Sequence, residues 1–262
     1  MDGSTGSVAE VPGTLRLEND RRNPGGLMKD NRDRLCVALD GSDRDWIVST
    51  ARELASRVGW LKLGLEAFTA FGPSLIEEMT QAHGRVFLDI KLHDIPNTVR
   101  RASANCAATG AAMFNVHASG GRAMLEAAVE GAEQGSSGRR PLVIAVTVLT
   151  SLDGEATAQL GFGSDPGEIV LRWAQLAREA GLDGVVASAK EASMIRRACG
   201  SDFLIVTPGI RPSWAATGDQ RRVMTPADAV SAGADILVIG RPITGADSPS
   251  SAAERILEEI PK

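Results

Sequence analysis

The chain has 262 residues, 43% apolar and 23% charged, a composition that allows one large core and excludes a wholly disordered chain. Its net charge of −5 gives no basic footprint for nucleic acid, and no apolar run reaches bilayer length, so neither nucleic acid nor membrane is an expected partner. Cys36, Cys106 and Cys199 are odd in number and lack metal-type spacing, which fits a reducing cytoplasm.

Residues 1–31 are rich in Gly, Ser, Asp, Asn and Arg and show no apolar periodicity. They lack the apolar centre of a secretory signal, and their acids argue against an organelle transit peptide, so a flexible N-terminal tail is expected. Residues 32–262 are expected to form a single catalytic domain. Short apolar runs recur through it: "LCVALD" (35–40), "WLKLG" (60–64), "RVFLDI" (85–90), "MFNVHA" (113–118), "LVIAVTV" (142–148), "GVVAS" (184–188), "FLIVTPG" (203–209) and "ILVIGR" (236–241). Between them lie segments with helical periodicity, such as 43–59 and 166–181. Apolar strands alternating with amphipathic helices imply a parallel sheet covered by helices. Eight such units predict an α/β fold of the (β/α)8 TIM-barrel type. An open doubly wound sheet would place a Gly-rich turn after its first strand, whereas "LDGSDRD" (39–45) offers one glycine and three acids.

Chemistry in such a barrel gathers at the C-terminal ends of the strands. Polar residues stand there: Asp40, Lys62, Asp89 with Lys91, Asn115 with His117, Thr150, Ser188 and Arg241. The stretch "FLDIKLHDIP" (87–96) is the densest. Strand alternation puts Phe87, Asp89 and Lys91 on one side and Leu88 and Ile90 on the other, so Asp89 and Lys91 both face the barrel mouth. The plainer reading of that pair is a salt bridge plugging the barrel top. Beyond the strand, Pro96 keeps Ile95 extended, and Asn97 or Thr98 is placed to cap the next helix.

The segments "VTPGIRP" (206–212) and "VIGRPIT" (238–244) end the seventh and eighth strands with Gly209 and Arg211, and with Gly240 and Arg241. Loops at these two positions commonly bind phosphate in barrels, glycine admitting close backbone approach and arginine offering a planar fork of donors. Gln220 adds a neutral donor, and the segment 211–222 is a candidate lid. Near the second and third strands, Lys62, Asp89, Lys91 and Asp94 can form an alternating array. Neighbouring carboxylates keep a lysine protonated, which makes it an acid rather than a Schiff-base nucleophile. Such a lysine can deliver a proton to a developing carbanion. An aspartate beside a substrate carboxylate favours its departure as neutral carbon dioxide.

The stretch "FLDIKLHDIPNTV" (87–99) closely resembles the signature of the orotidine 5′-phosphate decarboxylases, in the bacterial branch with the HDIPNT element. The resemblance continues in family order through "VALD" (37–40), "LKLGLEAFTAFGP" (61–73), "NVHASGG" (115–121), "IAVTVLTS" (144–151), "DGVVAS" (183–188), "VTPGIRP", "GDQRR" (218–222) and "VIGRPIT". It implies decarboxylation of orotidine 5′-phosphate to UMP and carbon dioxide, the last step of de novo pyrimidine synthesis, with neither metal nor organic cofactor. It further implies that Lys91 donates a proton to C6 of the pyrimidine, and that Lys62, Asp89 and Asp94 complete the array with Asp89 beside the departing carboxylate. Asp40 and Lys62 would meet the ribose hydroxyls and Thr150 the pyrimidine amide. Arg211, Gln220, Gly240 and Arg241 would hold the phosphate. Asp94, Ile95 and Thr98 would enter the site of a second subunit, which implies a homodimer. Leu65 departs from the family's pattern, without touching a position assigned to chemistry.

The nearest rival is a magnesium-dependent sugar-phosphate decarboxylase or aldolase of the same superfamily, sharing D-x-K-x-x-D and reading Asp89, His93 and Asp94 as ligands. Lys62, Thr150 and the Gln220 segment fit the pyrimidine enzyme better. A barrel that binds a nucleotide without turning it over is a further alternative, which the four charged positions disfavour. A metal site from His83, His93 and His117 has no pairwise ligand spacing to recommend it.

Overall fold

Every predicted apolar run forms a strand in the computed structural model, which describes residues 30–215 and 224–261. Most of the expected tail, most of the candidate lid and Gln220 lie outside the described residues. The strands are β1 Leu35–Ala38, β2 Trp60–Gly64, β3 Val86–Leu92, β4 Met113–His117, β5 Leu142–Val146, β6 Gly184–Val186, β7 Leu204–Pro208 and β8 Ile236–Ile239. All pair in parallel with their chain neighbours, and β8 returns to β1, so the sheet closes into an eight-stranded barrel. Between and after them run helices α1 Arg44–Leu54, α2 Leu65–Phe71, α3 Pro73–His83, α4 Pro96–Ala108, α5 Arg122–Gln134, α6 Gly154–Gln159, α7 Pro166–Glu179, α8 Ala189–Cys199, α9 Pro226–Ser231, α10 Arg241–Thr244 and α11 Pro249–Glu259. Among the described residues no helix is long and apolar enough to cross a membrane.

Local chemistry sets most helix starts. Asp43 accepts from Trp46 N–H at the head of α1, Asp165 from Gly167 and Glu168 at α7, and Ser188 from Lys190 at α8. Each satisfies backbone donors that the first turn leaves unpaired. At α4 the expectation of a cap by Asn97 or Thr98 is corrected. Pro96 is the first helical residue and Ile95 the cap position, extended at φ −59° and ψ 151°, with no side-chain cap. Proline's fixed φ suits the first helical position and its missing N–H is one the first turn leaves unpaired, so Pro96 opens the helix here without a side-chain cap, and Asn97 instead accepts from Arg100. At the other end of the chain Arg241 opens α10 rather than finishing β8.

The core divides by strand parity. Outward residues such as Val37, Leu63, Leu88, Phe114 and Val116 pack under the helices. Cys36, Trp60, Phe87, Met113, Ile144, Val206 and Ile236 fill the barrel interior. The turn Asn31–Arg34 lies beneath the strands, where Trp60 Nε1 donates to Asp33 O at 3.1 Å and Arg85 pairs with Asp33 at 2.7 Å. Among the described residues this turn covers the N-terminal end of the barrel. Helices α4 and α5 approach through Gly131 and Gly135, where any Cβ would run into the backbone oxygens of Arg100 and Ala104.

Candidate active site

Two residues beyond the interior layer, the same inward faces turn polar or open. Lys62 follows Trp60, Asp89 follows Phe87 and Asn115 follows Met113, each by the two-residue period of a strand. These side chains stand on adjacent strands, because β2, β3 and β4 are neighbours. Above them opens a pocket of about 210 Å³ lined by Lys62, Phe87, Asp89, Lys91, Val146, Val148, Leu149, Thr150, Val186, Ala187, Pro208 and Val238. One side of this pocket is charged and the rest is mostly apolar, a shape suited to a flat ring carrying one reactive polar edge.

The charges are joined in a chain. Lys62 Nζ lies 2.8 Å from Asp40 Oδ1 and 3.1 Å from Asp89 Oδ2, and Lys91 Nζ lies 2.6 Å from Asp89 Oδ1. The side chains of Lys62 and Asp89 are only 8% and 13% exposed, so neither is solvated enough to dispense with its partners. Burial pulls Lys62 down, but the Asp89 and Asp40 carboxylates more than reverse it, and its ammonium titrates above the ordinary lysine value. Burial likewise pushes Asp89 up, but Lys62 and Lys91, with hydrogen bonds from Lys91 and Asn115, hold its carboxyl below the usual carboxylate range. Both groups therefore keep their charge at neutral pH. A salt bridge alone would be weak reason to bury such a set, since apolar packing of the same volume is commonly as stable.

The sequence-predicted residues divide into three groups. Asp40, Lys62, Asp89 and Lys91 meet in the array, and Thr150 lines the same pocket. Asp94, Ile95 and Thr98 do not reach it: they sit exposed on the rim, with Asp94 Oδ1 accepting from Ile95 N–H at 2.6 Å and Ile95 66% exposed. Within one chain the outer acid of the array is therefore Asp40, not Asp94. The third group ends β7 and β8, where Pro208 pairs with Val238. Gly209 takes φ +80°, which a side chain resists, and Gly240 caps α10 with Arg241 as its first residue. Arg211 is 8% exposed, and its backbone N–H donates to Met224 O at 3.0 Å. With eight strands in a closed ring, β7 stands across the mouth from β3. His93 and His117 come together with ring centroids 5.5 Å apart, whereas His83 ends α3, so the three histidines form no common site.

Two residues take part without having been assigned a role from sequence. Asn115 is 1% exposed; its Oδ1 accepts from Lys91 N–H at 2.8 Å and its Nδ2 donates to Asp89 Oδ1 at 2.7 Å. Its signal in the sequence is an amide two residues after an inward methionine, within an otherwise apolar strand. Gly64, paired with Asp89 across the ladder, leaves room for the Lys62 ammonium.

Comparison with known proteins gives matches over most of the chain. Residues 33–256 match the model of the orotidine 5′-phosphate decarboxylase / HUMPS family. A curated orotidine 5′-phosphate decarboxylase of Geobacter sulfurreducens is 51% identical over 230 residues, covering 87% of this chain and 96% of the relative. One from Syntrophus aciditrophicus is 50% identical over 238 residues, covering 88% and 94%. Among solved structures, an orotidine 5′-phosphate decarboxylase from Lactobacillus acidophilus superposes with a TM-score of 0.78 at 35% identity, covering 87% of this chain and 99% of that one.

Proposed function

Because the chain belongs to the orotidine 5′-phosphate decarboxylase / HUMPS family, we propose that it converts orotidine 5′-phosphate to UMP and carbon dioxide. The observation that carries this reading is the unbroken alternation Asp40–Lys62–Asp89–Lys91 along one wall of an otherwise apolar pocket. The pyrimidine lies in the pocket with its carboxylate toward Asp89. The C6–carboxylate bond breaks, its electron pair stays on C6, and the group departs as neutral carbon dioxide. Lys91 then gives C6 a proton and recovers one from solvent. Lys62 holds Asp89 charged and in place, so the array needs no reorganisation as charge moves to C6.

The remaining assignments follow the same reading. Asp40 and Lys62 meet the ribose hydroxyls, Thr150 the pyrimidine amide, and Arg211, Gln220, Gly240 and Arg241 the phosphate. Binding energy from that remote phosphate helps hold the reacting end in place. Asp94, Ile95 and Thr98 serve the site of a second subunit in a homodimer. Support for this lies in their exposure at the rim, close in sequence to Lys91 but not joined to its array.

The test is the ultraviolet change as orotidine 5′-phosphate becomes UMP, followed with EDTA present. Full turnover in EDTA is expected. Activity lost in EDTA and restored by magnesium would favour the sugar-phosphate rival instead, since its enediolate chemistry depends on a divalent ion.

A further inference from the structure

Lys91 is the sole non-glycine residue with positive φ among the described residues, at +53°. The left-handed region is sterically unfavourable for a residue with a side chain, and such a conformation persists only where its surroundings fix it. The ladder shows where the distortion arises. Leu88 pairs with Phe114 and Leu92 with Val116, so Asp89, Ile90 and Lys91 all lie against Asn115. This is a bulge, in which surplus backbone on β3 has no regular counterpart on β4.

Asn115 spans the irregularity with its side chain. Its carbonyl accepts the Lys91 backbone N–H, and its amino group donates to Asp89 Oδ1, the oxygen that also receives Lys91 Nζ. One amide orientation alone satisfies both, because the N–H requires an acceptor and the carboxylate a donor. The side chain is buried, so no solvent competes for either bond. We propose that Asn115 is a positioning residue for the reaction: its amide pins the β3 bulge, and so sets the direction of Lys91 and its distance from Asp89. The proposal rests on the decarboxylase reading. Without the amide, the surplus backbone of β3 is free to take other conformations, Lys91 leaves the left-handed region, and its ammonium moves away from the reacting carbon. Ribose and phosphate contacts come from Asp40 and from the ends of β7 and β8, and are left as they were.

Two variants test this, with active sites titrated by UMP in calorimetry so that rates refer to folded sites. For Asn115→Ala, kcat per site is expected to fall about 10- to 100-fold, the scale of loss for a misplaced catalytic group, with KM changed less than about threefold. Asn115→Asp keeps the acceptor for Lys91 N–H and the shape, and loses only the donor to Asp89. It sets a second carboxylate against Asp89, and the acid limb of its kcat profile should move to higher pH. A purely structural role would lower the number of titratable sites while leaving kcat per site unchanged in the alanine variant, and that result would overturn the proposal. A crystal structure of the alanine variant provides a readout independent of activity: Lys91 should have left the positive-φ region, and its retention there would also count against the idea. If the unaltered protein fails to turn over orotidine 5′-phosphate, the decarboxylase reading is what fails, and the Lys91 conformation still judges Asn115.

Discussion

Gly64 stands directly opposite Asp89 in the β2–β3 ladder, and the Lys62 ammonium lies in the space a side chain there would claim. Lys62 itself pairs with Phe87, one layer deeper in the barrel, so its stem must rise along the inner wall to reach the carboxylate. A Cβ on Gly64 would fall 2.6 Å from Asp40 Oδ1 and 3.1 Å from Lys62 Nζ. The extended backbone of Gly64, at φ −92° and ψ −172°, would suit any residue, so this glycine answers to side-chain space and not to backbone strain.

Gly64→Ala should therefore damage the site more than the fold. The added methyl separates Asp40 from Lys62, and a lysine that shifts by a few tenths of an ångström no longer meets Asp89 squarely. Loss of about 10- to 100-fold in kcat/KM is expected, which corresponds to about 1.4–2.8 kcal/mol of transition-state stabilisation. Thermal unfolding measured beside the kinetics should show only a small change.

Lys91→Ala removes the proton donor while leaving Lys62 against Asp89. Release of carbon dioxide should fall by at least about 100-fold, the lower range for a lost general acid. UMP should still bind within a few-fold of the unaltered protein, since its phosphate contacts lie across the mouth. Turnover that survived this change would remove Lys91 from the donor role.

The exposed position of Asp94 leads to a mixing experiment. Lys62→Ala and Asp94→Ala proteins, each inactive alone, should regain activity when their subunits are exchanged. In a two-fold dimer the hybrid has one site with both residues intact and one with neither. Random exchange should thus restore about a quarter of the sites. A silent mixture, with hybrids verified by mass spectrometry, would place Asp94 outside the partner's site.

The lowered pKa of Asp89 fixes the sign of a stability profile. The buried carboxyl would be pushed up by burial, but Lys62 and Lys91 bring it below its ordinary value. Its contribution is then present in full above the unfolded-state pKa of about 3.9, and is lost as pH falls through the lower folded-state value. Urea midpoints of the unaltered protein and Asp89→Asn should differ by a constant amount from about pH 6 to 8 and converge below about pH 4. A difference that changed within the neutral range would contradict the assignment. Lys62 mirrors this at the alkaline end. Its raised pKa gives stability present below the ordinary lysine value and lost as pH rises through the folded-state one.

Much of the barrel was legible because its causes are local. Apolar runs such as 60–64 and amphipathic segments such as 166–181 carry their own periods, and caps such as Asp43 and Asp165 sit within a few residues of the helices they start. Reading Asp89 and Lys91 toward the mouth needed only strand alternation, which the bulge preserves because Leu88 and Leu92 both still face outward. Asn97 and Thr98 misled as caps because their types favour the role wherever they occur, and Pro96 had already opened the helix.

By itself, then, the sequence determined the barrel, the face on which its charges stand and the chemistry those charges can perform, since all three follow from short-range pattern. Tertiary structure decided how the charges meet: Asp40 rather than Asp94 completing the array within one chain, Gly64 making room for Lys62, and Asn115 holding Lys91 at positive φ. Each depends on which residues of neighbouring strands come opposite one another. That register is set by the closure of the whole sheet and the packing on both of its faces, and no single stretch of chain contains it.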